Sequence, residues 1–260
     1  MLRILYFFLI LPAFLFSQEE KKIALDNQND IPVINFTSLD YPIDQKVKKV
    51  VALSTDKASS PVNLYGATKL ASDKLFTASN SYSGEHGTRF SVVRYGNVAN
   101  SRGSVIPFFN EIKGKGQIPI TNMRMTRFLI SLPEAVEIVF EAFNTMLGSE
   151  IFVKKIPSVK ITELASVIAP FCKQVEIGMR PGEKLHEQLI SEDESTFTYE
   201  FDNYYKILSP LNNWNNFPER YKNGKKVKEG FSYSSNNNDF WLEGNLLKDW
   251  LKTIEKQKRD

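Results

Sequence analysis

The sequence predicts an α/β fold built on a parallel sheet, because short apolar runs alternate with helical patterns from residue 48 onwards. Residues 50–53 form an apolar run entered from basic residues, as expected for a strand buried on both faces. Residues 64–82 carry alanine, leucine and tyrosine at spacings of three and four, which predicts a helix. Residues 90–95 form a second apolar strand. A strand, a crossover helix and another strand make up the unit from which parallel sheets are built.

The alternation continues less regularly in the second half of the chain. Ser131 and Glu134 have the spacing of a capping box, which predicts that a helix begins at this point. Residues 151–153 and 175–177 are predicted to be short strands, and residues 161–171 a helix. A polar stretch near the C terminus, followed by leucines and tryptophans, predicts a surface loop and a terminal helix.

Length and composition bound what the protein can be. The 260 residues suffice for one or two domains with a sizeable core, and 42% apolar with 24% charged residues is ordinary for a globular protein. The 33 basic and 30 acidic residues are too evenly balanced to indicate a nucleic-acid partner. Cys172 has no second cysteine to pair with, and His86 and His186 are too few for a transition-metal cluster. We therefore expect chemistry without a metal, in a reducing compartment.

The N-terminal residues conflict with that compartment. Arg3 precedes an apolar run at residues 4–16, and polar and then charged residues come next, which is the order of a secretory signal peptide. A run this short, interrupted by Pro12, is not expected to span a membrane, for which about 18 apolar residues are needed. The alternative is a start region unrelated to the rest of the chain. Residues 1–46 are accordingly interpreted as a signal-like leader, at residues 1–18, and a linker.

Polar and ionisable side chains follow the first predicted strand, where ligands bind in open α/β sheets. Thr55, Asp56 and Lys57 lie at this strand end. Tyr65 and Lys69 lie one turn apart on the next predicted helix, so their side chains share one face. A tyrosine hydroxyl has a pKa of about 10, and a neighbouring ammonium favours the phenolate, so this pair can act as a base.

Each of these patterns also has a purely structural interpretation. A tyrosine and a lysine four residues apart occur on many solvated helices, where such pairs stabilise the helix. Asp56 and Lys57 can form a surface-turn ion pair that stabilises the fold by less than ~1 kcal/mol. Their position after a buried strand favours a ligand-binding edge instead.

Six segments carry a resemblance to known proteins: residues 53–58, 63–69, 94–98, 101–108, 124–128 and 180–187. Together they resemble the extended short-chain dehydrogenases/reductases that act on nucleotide sugars, and within them the inverting UDP-N-acetylglucosamine 4,6-dehydratases. Two positions select the branch. Asp56 is followed by Lys57, where dTDP-glucose dehydratases carry an Asp-Glu pair, and Tyr65 stands where the large membrane-bound relatives have methionine. A nucleotide-sugar 4-epimerase remains an alternative.

The resemblance implies a truncated Rossmann-like parallel sheet with a smaller C-terminal α/β substrate domain. Residues 47–110 correspond to the remaining half of the Rossmann-like catalytic domain. Residues 111–260 are expected to be mainly the substrate domain, interleaved with the sheet. The implied cofactor is NADP and the implied substrate is UDP-N-acetylglucosamine, in a cytoplasmic homo-oligomer. The leader at residues 1–18 leaves export possible, while a membrane partner is otherwise not expected.

The resemblance also assigns catalytic roles. Tyr65, assisted by Lys69, takes the proton of the sugar 4-hydroxyl, and both residues contact the cofactor. Thr55 positions the 4-oxygen. Lys57 removes the carbon-5 proton once burial lowers its pKa toward neutrality, and a protonated Asp56 delivers a proton to the departing 6-hydroxyl.

Further residues are implied in binding the substrate. Arg180 is expected to precede a helix, so that its guanidinium and free helix N–H groups converge on the diphosphate. Glu183 is expected to meet the ribose hydroxyls. The uridine diphosphate channel is expected to be lined by Asn97, Arg102, Arg124 and Arg127.

The resemblance does not extend before about residue 47. The relatives begin with a glycine-rich, dinucleotide-binding half, whereas this chain has no glycine before Gly66. We therefore expect an incomplete cofactor cleft, weak or absent NADP binding, and an apolar sheet edge that favours instability or association. The chain is interpreted as a truncated dehydratase. The alternative is a non-catalytic remnant that binds UDP-sugar or oligomerises with an intact copy.

Overall fold

The computed structural model describes residues 40–83, 87–211 and 218–257. The leader at residues 1–18 and most of the predicted linker lie outside the described residues, as does His86. The helices are α1 (Asp40–Asp44), α2 (Leu64–Ala78), α3 (Val105–Ile112), α4 (Leu132–Thr145), α5 (Ile161–Ile168) and α6 (Gly244–Gln257). The strands are β1 (Lys49–Thr55), β2 (Arg89–Tyr95), β3 (Asn97–Val98), β4 (Gln117–Ile120), β5 (Thr126–Ile130), β6 (Ile151–Lys154), β7 (Ser158–Lys160), β8 (Lys173–Glu176), β9 (Gln188–Ile190), β10 (Thr198–Glu200), β11 (Tyr204–Ile207), β12 (Lys225–Lys226) and β13 (Tyr233–Ser234).

The main sheet has six strands in the order β1-β2-β6-β11-β10-β12. The first three strands are parallel, while β11, β10 and β12 run antiparallel to their neighbours. The predicted α/β class with a parallel-strand sheet is therefore confirmed, with an antiparallel extension that the periodicity did not predict. The β1–β2 register pairs Thr55 with Tyr95, so the two strands end side by side. Residues that follow either strand consequently meet at one edge of the sheet.

Helix α2 is fixed against β1 and β2 by its N-terminus and its apolar face. The Asn63 side chain caps the helix by accepting a hydrogen bond from the Gly66 N–H at 2.8 Å. Phe76 packs edge-on against Phe90 of β2. At Gly66 a Cβ atom would lie only 2.4 Å from the Lys57 carbonyl oxygen, so this close approach requires glycine. The start of α2 therefore lies directly against the turn that follows β1.

A second apolar cluster lies apart from the core of the main sheet. It is formed by side chains from α3, α5, α6 and the short strands between them, including Ile106, Ile118, Leu129, Leu164 and Leu247. Strand β5 borders both clusters, because Phe128 packs in the core of the main sheet and Leu129 in this second cluster. The predicted domain division at residues 110 and 111 stays a prediction.

Several element boundaries differ from the predicted ones for local reasons. Helix α2 ends at Ala78 and continues as one 3₁₀ turn, Ser79–Ser81, rather than running to residue 82. Helix α5 ends at Ile168 because the residue before Pro170 is disfavoured in the helical region. The predicted linker contains the short helix α1. The predicted capping box of Ser131 and Glu134 at the start of α4 is present.

Arg94 ties α2 to the sheet in the interior of the molecule. Its guanidinium is fully buried and lies 2.9 Å from Asp73 of α2 and 3.0 Å from Glu194. Burial raises the pKa of Asp73, whereas Arg94 outweighs burial at Glu194 and lowers the pKa of that carboxyl. Each of these two carboxylates is thus paired with the same buried guanidinium, which comes from another segment of the chain. Among the described residues, no helix is both long and apolar enough to cross a bilayer.

Replacing Arg94 by leucine is expected to destabilise the fold by about 3–5 kcal/mol, because Asp73 and Glu194 then stay buried without a cation. Urea unfolding followed by circular dichroism measures the loss. The matched control is Lys252→Ala, which removes an exposed ion pair to Asp249 and is expected to change stability by less than about 1 kcal/mol. Equal stability of the Arg94→Leu and control variants would contradict a stabilising role for this network.

Candidate active site

The parallel register of β1 and β2 brings the first predicted site residues together. Thr55 ends β1, and Asp56 and Lys57 form the 3₁₀ turn that follows it. The Lys57 Nζ atom lies 3.1 Å from Asp56 Oδ1 and 3.5 Å from Oδ1 of Asn97, the residue that begins β3 just after β2. Residues from two strand ends thus converge where the sequence predicts a site.

Asp56 is the most enclosed member of this group. Its side chain is fully buried, and its Oδ1 atom accepts hydrogen bonds from Thr55 Oγ1 at 2.9 Å and from Lys57 Nζ. Its second oxygen, Oδ2, is buried without a hydrogen-bond partner in the part of the chain that the structure describes. A buried carboxyl with an unused oxygen differs from a solvated surface-turn ion pair.

Lys57 differs from the sequence-based expectation in its pKa. Burial lowers the pKa of this ammonium, but the carboxylates of Asp56 and Glu187 outweigh burial, so the pKa lies above its ordinary value. The prediction that burial brings Lys57 toward neutrality is therefore wrong for the structure without substrate. The reason is a second carboxylate, Glu187, whose Oε1 atom lies 3.7 Å from Lys57 Nζ.

Tyr65 and Lys69 lie on the first two turns of α2, as predicted, but in different surroundings. Tyr65 is 45% exposed, and Lys69 is buried with its Nζ atom 3.5 Å from the carbonyl oxygen of Leu53 in β1. Burial lowers the pKa of Lys69, and Asp73 offsets this only in part. Tyr65 is therefore partly open to solvent, while the Lys69 side chain reaches the backbone near the end of β1.

The loop at residues 178–187 closes the other side of the site. Asn63 donates a hydrogen bond from its Nδ2 atom to the Gly182 carbonyl at 2.7 Å, which fastens this loop to the start of α2. Arg127 of β5 is buried, with its guanidinium 3.5 Å from Glu183 and 3.7 Å from Glu187. The loop therefore carries acidic groups that meet basic groups from the sheet.

Two cavities adjoin these residues, with volumes of about 460 Å³ and 300 Å³. Both are lined by Asn97, Arg127, Arg180 and Glu183. The smaller one also reaches Lys57 and Glu187, and the larger one extends past Phe108 and Ile177 toward the second apolar cluster. Four of the six predicted substrate-binding residues thus share one cleft.

The other two predicted arginines are placed differently. Arg102 and Arg124 are exposed, and neither lines the two cavities. Arg180 does line them, but residues 181–187 form turns, so the predicted helix after Arg180 is absent from this described segment. The expectation that helix N–H groups join Arg180 on an anion is therefore wrong. The proline and glycine after Arg180 favour a turn over a helix.

Sequence reasoning missed Glu187 and Lys184 as members of the site. Both lie within the matched segment at residues 180–187, so a signal was present, but no pattern distinguished them from surface charges. Glu187 is buried, and burial together with Asp56 raises its pKa against the opposing effect of nearby cations. Lys184 donates a hydrogen bond from Nζ to the carbonyl of Ser59, beside the Asp56–Lys57 turn.

The described residues fit one end of a dinucleotide cofactor. Tyr65 and Lys69 lie on α2, and Lys69 Nζ reaches the Leu53 carbonyl of β1, so this pair would hold the nicotinamide end if a cofactor bound here. The pyrophosphate end needs a glycine-rich turn, and the chain has no glycine before Gly66. In the described residues β1 has a strand neighbour on one side only. The fit is therefore to the reactive end of the cofactor alone.

Known proteins resemble this chain over most of its length. A UDP-N-acetylglucosamine 4,6-dehydratase (inverting) from Campylobacter jejuni is 52% identical and matches 84% of this chain and 67% of its own length. A UDP-glucose 4-epimerase from Rickettsia felis is 40% identical over 76% of this chain and 60% of its own. The X-ray structure of Pen from Bacillus thuringiensis is 36% identical with a TM-score of 0.72, covering 82% of this chain and 64% of that one.

The chain thus spans about two thirds of the length of the dehydratase relative that it matches. The model of the polysaccharide biosynthesis protein family matches residues 33–209, which include Thr55, Asp56, Lys57, Tyr65 and Lys69. The resemblance seen in the sequence motifs is confirmed: the chain belongs to the polysaccharide biosynthesis protein family and is a homologue of its inverting UDP-N-acetylglucosamine 4,6-dehydratases.

Proposed function

We propose that the chain carries the catalytic and substrate-binding part of an inverting UDP-N-acetylglucosamine 4,6-dehydratase. Its product is a UDP-4-keto-6-deoxy-hexosamine for bacterial surface glycans. The observation that supports this most directly is the Asp56–Lys57 pair at the end of β1, with Lys57 lining a cavity that Arg127 and Arg180 also line. A dehydratase needs a base and an acid at adjacent carbons, whereas a 4-epimerase does not. The named activity of the Campylobacter relative agrees with this proposal.

The oxidation at carbon 4 is assigned to Tyr65 and Thr55, and the elimination of water to Lys57 and Asp56. Tyr65, on α2, takes the proton of the sugar 4-hydroxyl, and Thr55 holds the 4-oxygen. NADP, if bound, would supply the hydride acceptor for carbon 4 and the hydride for carbon 6. The 4-ketone acidifies carbon 5, from which Lys57 removes the proton, and Asp56 protonates the 6-hydroxyl as water leaves. Carbon 5 then takes a proton from solvent on the opposite face, which inverts this centre and balances the proton that Lys57 removed.

The raised pKa of Lys57 favours its ammonium form, so its role as the base requires that a proton first leave Nζ. A proton can move from Lys57 Nζ to Asp56 Oδ1 over 3.1 Å, which makes a neutral amine and a carboxylic acid from an ion pair. Both forms carry the same number of protons, so bulk pH does not set their ratio. The neutral form has both groups that elimination requires, a base at Lys57 and an acid at Asp56.

The cleft offers cations for a diphosphate. Arg180 is exposed and lines both cavities, which leaves its guanidinium available for an anion. Arg127 is already engaged by Glu183 and Glu187, so its charge is partly balanced within the protein. We therefore assign the diphosphate chiefly to Arg180, with Glu183 near the ribose. A cytoplasmic location, where NADP and UDP-sugars are made, is part of this proposal.

Incubating the purified chain with UDP-N-acetylglucosamine and excess NADP is expected to yield the 4-keto product, detected by its ultraviolet absorbance and by NMR. Lys57→Ala is expected to lower the rate by about 10²–10⁴-fold, because the base is lost. Exposed Lys252→Ala serves as the control with unchanged rate. Full activity of Lys57→Ala would exclude Lys57 as the base. A 4-epimer as the product would favour the epimerase, and no product at all would favour the non-catalytic remnant.

Binding of UDP, measured by isothermal titration calorimetry without cofactor, is expected to weaken by about tenfold in Arg180→Ala, which corresponds to one charge-assisted hydrogen bond. The matched control is Arg89→Ala, since Arg89 is exposed at the opposite end of β2. Unchanged affinity in Arg180→Ala would place the diphosphate elsewhere.

A further inference from the structure

Glu187 is a buried carboxylate to which neither the sequence motifs nor the proposed mechanism gives a role. Glu187 is 3% exposed. Its backbone N–H donates a hydrogen bond to Ser235 Oγ at 3.0 Å, and its carbonyl oxygen accepts one from the Ser235 N–H at 2.8 Å. Its Oε1 atom lies 3.7 Å from both Lys57 Nζ and Arg127 Nε. Its Oε2 atom has no hydrogen-bond partner among the described residues. The side chain lines the 300 Å³ cavity together with Lys57.

We propose that Glu187 is a positioning residue of the reaction, whose negative charge beside Lys57 keeps one proton within the Asp56–Lys57 pair. This inference deepens the proposed function and rests on it wherever it concerns the reaction. Glu187 reaches Lys57 from a loop that lies more than a hundred residues away along the chain.

The charges that surround Lys57 hold a proton on the pair. Asp56 Oδ1 at 3.1 Å and Glu187 Oε1 at 3.7 Å both favour the protonated pair, while Arg127 opposes them. Two carboxylates around one ammonium leave a net negative charge, which resists loss of the proton that they share. If the pair lost that proton to solvent, Lys57 would stay a base but Asp56 would have no proton to give to the leaving hydroxyl.

Glu187 itself faces charged groups of both signs. Lys57 and Arg127 approach it from the sheet side, Lys184 belongs to its own loop, and Asp56 repels it from the turn after β1. Burial and Asp56 raise its pKa, and the three cations lower it, with the net direction upward. The pair and Glu187 therefore form one group of coupled sites, in which removing one charge changes the proton affinity of the others.

A direct test measures the pKa of Lys57 in the full chain without substrate or cofactor. Trace labelling with acetic anhydride across a pH series, with mass spectrometry of the labelled peptides, gives the titration of each lysine. Lys57 is accessible to the reagent because its side chain is 36% exposed. Exposed Lys252 in the same sample is the internal reference. We expect Lys57 in the wild-type chain to titrate above the ordinary lysine pKa, because the carboxylates of Asp56 and Glu187 outweigh its burial.

Two variants separate charge from packing. Glu187→Gln is expected to lower the pKa of Lys57 by about one unit or more, since an opposite charge about 4 Å away is removed. Glu187→Asp keeps the charge and is expected to retain most of the wild-type value. The matched control Glu243→Gln removes an exposed carboxylate that pairs with Lys160 and is expected to leave Lys57 unchanged. Where turnover is measurable, the alkaline limb of the pH–rate profile should move to lower pH in Glu187→Gln by the same amount.

Each outcome decides for or against the proposal. An unchanged Lys57 pKa in Glu187→Gln, or an equal fall in Glu187→Asp, would overturn it. If Glu187→Gln does not fold, the wild-type measurement still decides, because a Lys57 pKa at or below the ordinary lysine value is incompatible with the proposal. This titration needs no activity, so a chain that makes no product would refute the proposed function while leaving the role of Glu187 to be judged separately.

Discussion

The arrangement of the site depends on the compensation of buried charge at the ends of parallel strands. A buried carboxyl such as Asp56 is stable only with partners, and the end of β1 and the turn after it provide two of them, Thr55 and Lys57. The remaining charges come from β5 and from the loop at residues 178–187, which meet there through Arg127 and Glu187. The alignment of β1 with β2 fixes where these partners must be, because it determines the edge at which the turn projects. The site is thus a product of the sheet and of distant segments together.

This dependence explains which parts were predictable from sequence. Local periodicity located β1, α2, β2 and the start of α4, because each is specified by neighbouring residues. Motifs placed Asp56, Lys57, Tyr65 and Lys69 in one region for the same reason. The antiparallel strands that extend the sheet are short, and strands of this length carry too few residues for a clear alternation.

Glu187 and the pKa of Lys57 were not predictable, because they depend on a contact across a large sequence separation. In the sequence, Glu187 stands between His186 and Gln188, and no local pattern distinguishes a buried carboxylate from a solvated one. The arginines were also only partly predictable. The sequence singled out Arg180, which does line the cleft, but it did not separate Arg127, which is buried in the cleft wall, from Arg102 and Arg124, which are exposed outside it.

The Arg94 network has a mechanical consequence for how the cleft can change shape. Since Arg94 of β2 is hydrogen-bonded to Asp73 of α2 and to Glu194 in the interior, separating the helix from the sheet would leave buried charges without their partners. The helix that carries Tyr65 and Lys69 is therefore held against the strands by the same contacts. Any adjustment to the size of a bound sugar has to be absorbed by the opposite wall, where the 178–187 segment is fastened mainly by individual hydrogen bonds and partly exposed ion pairs.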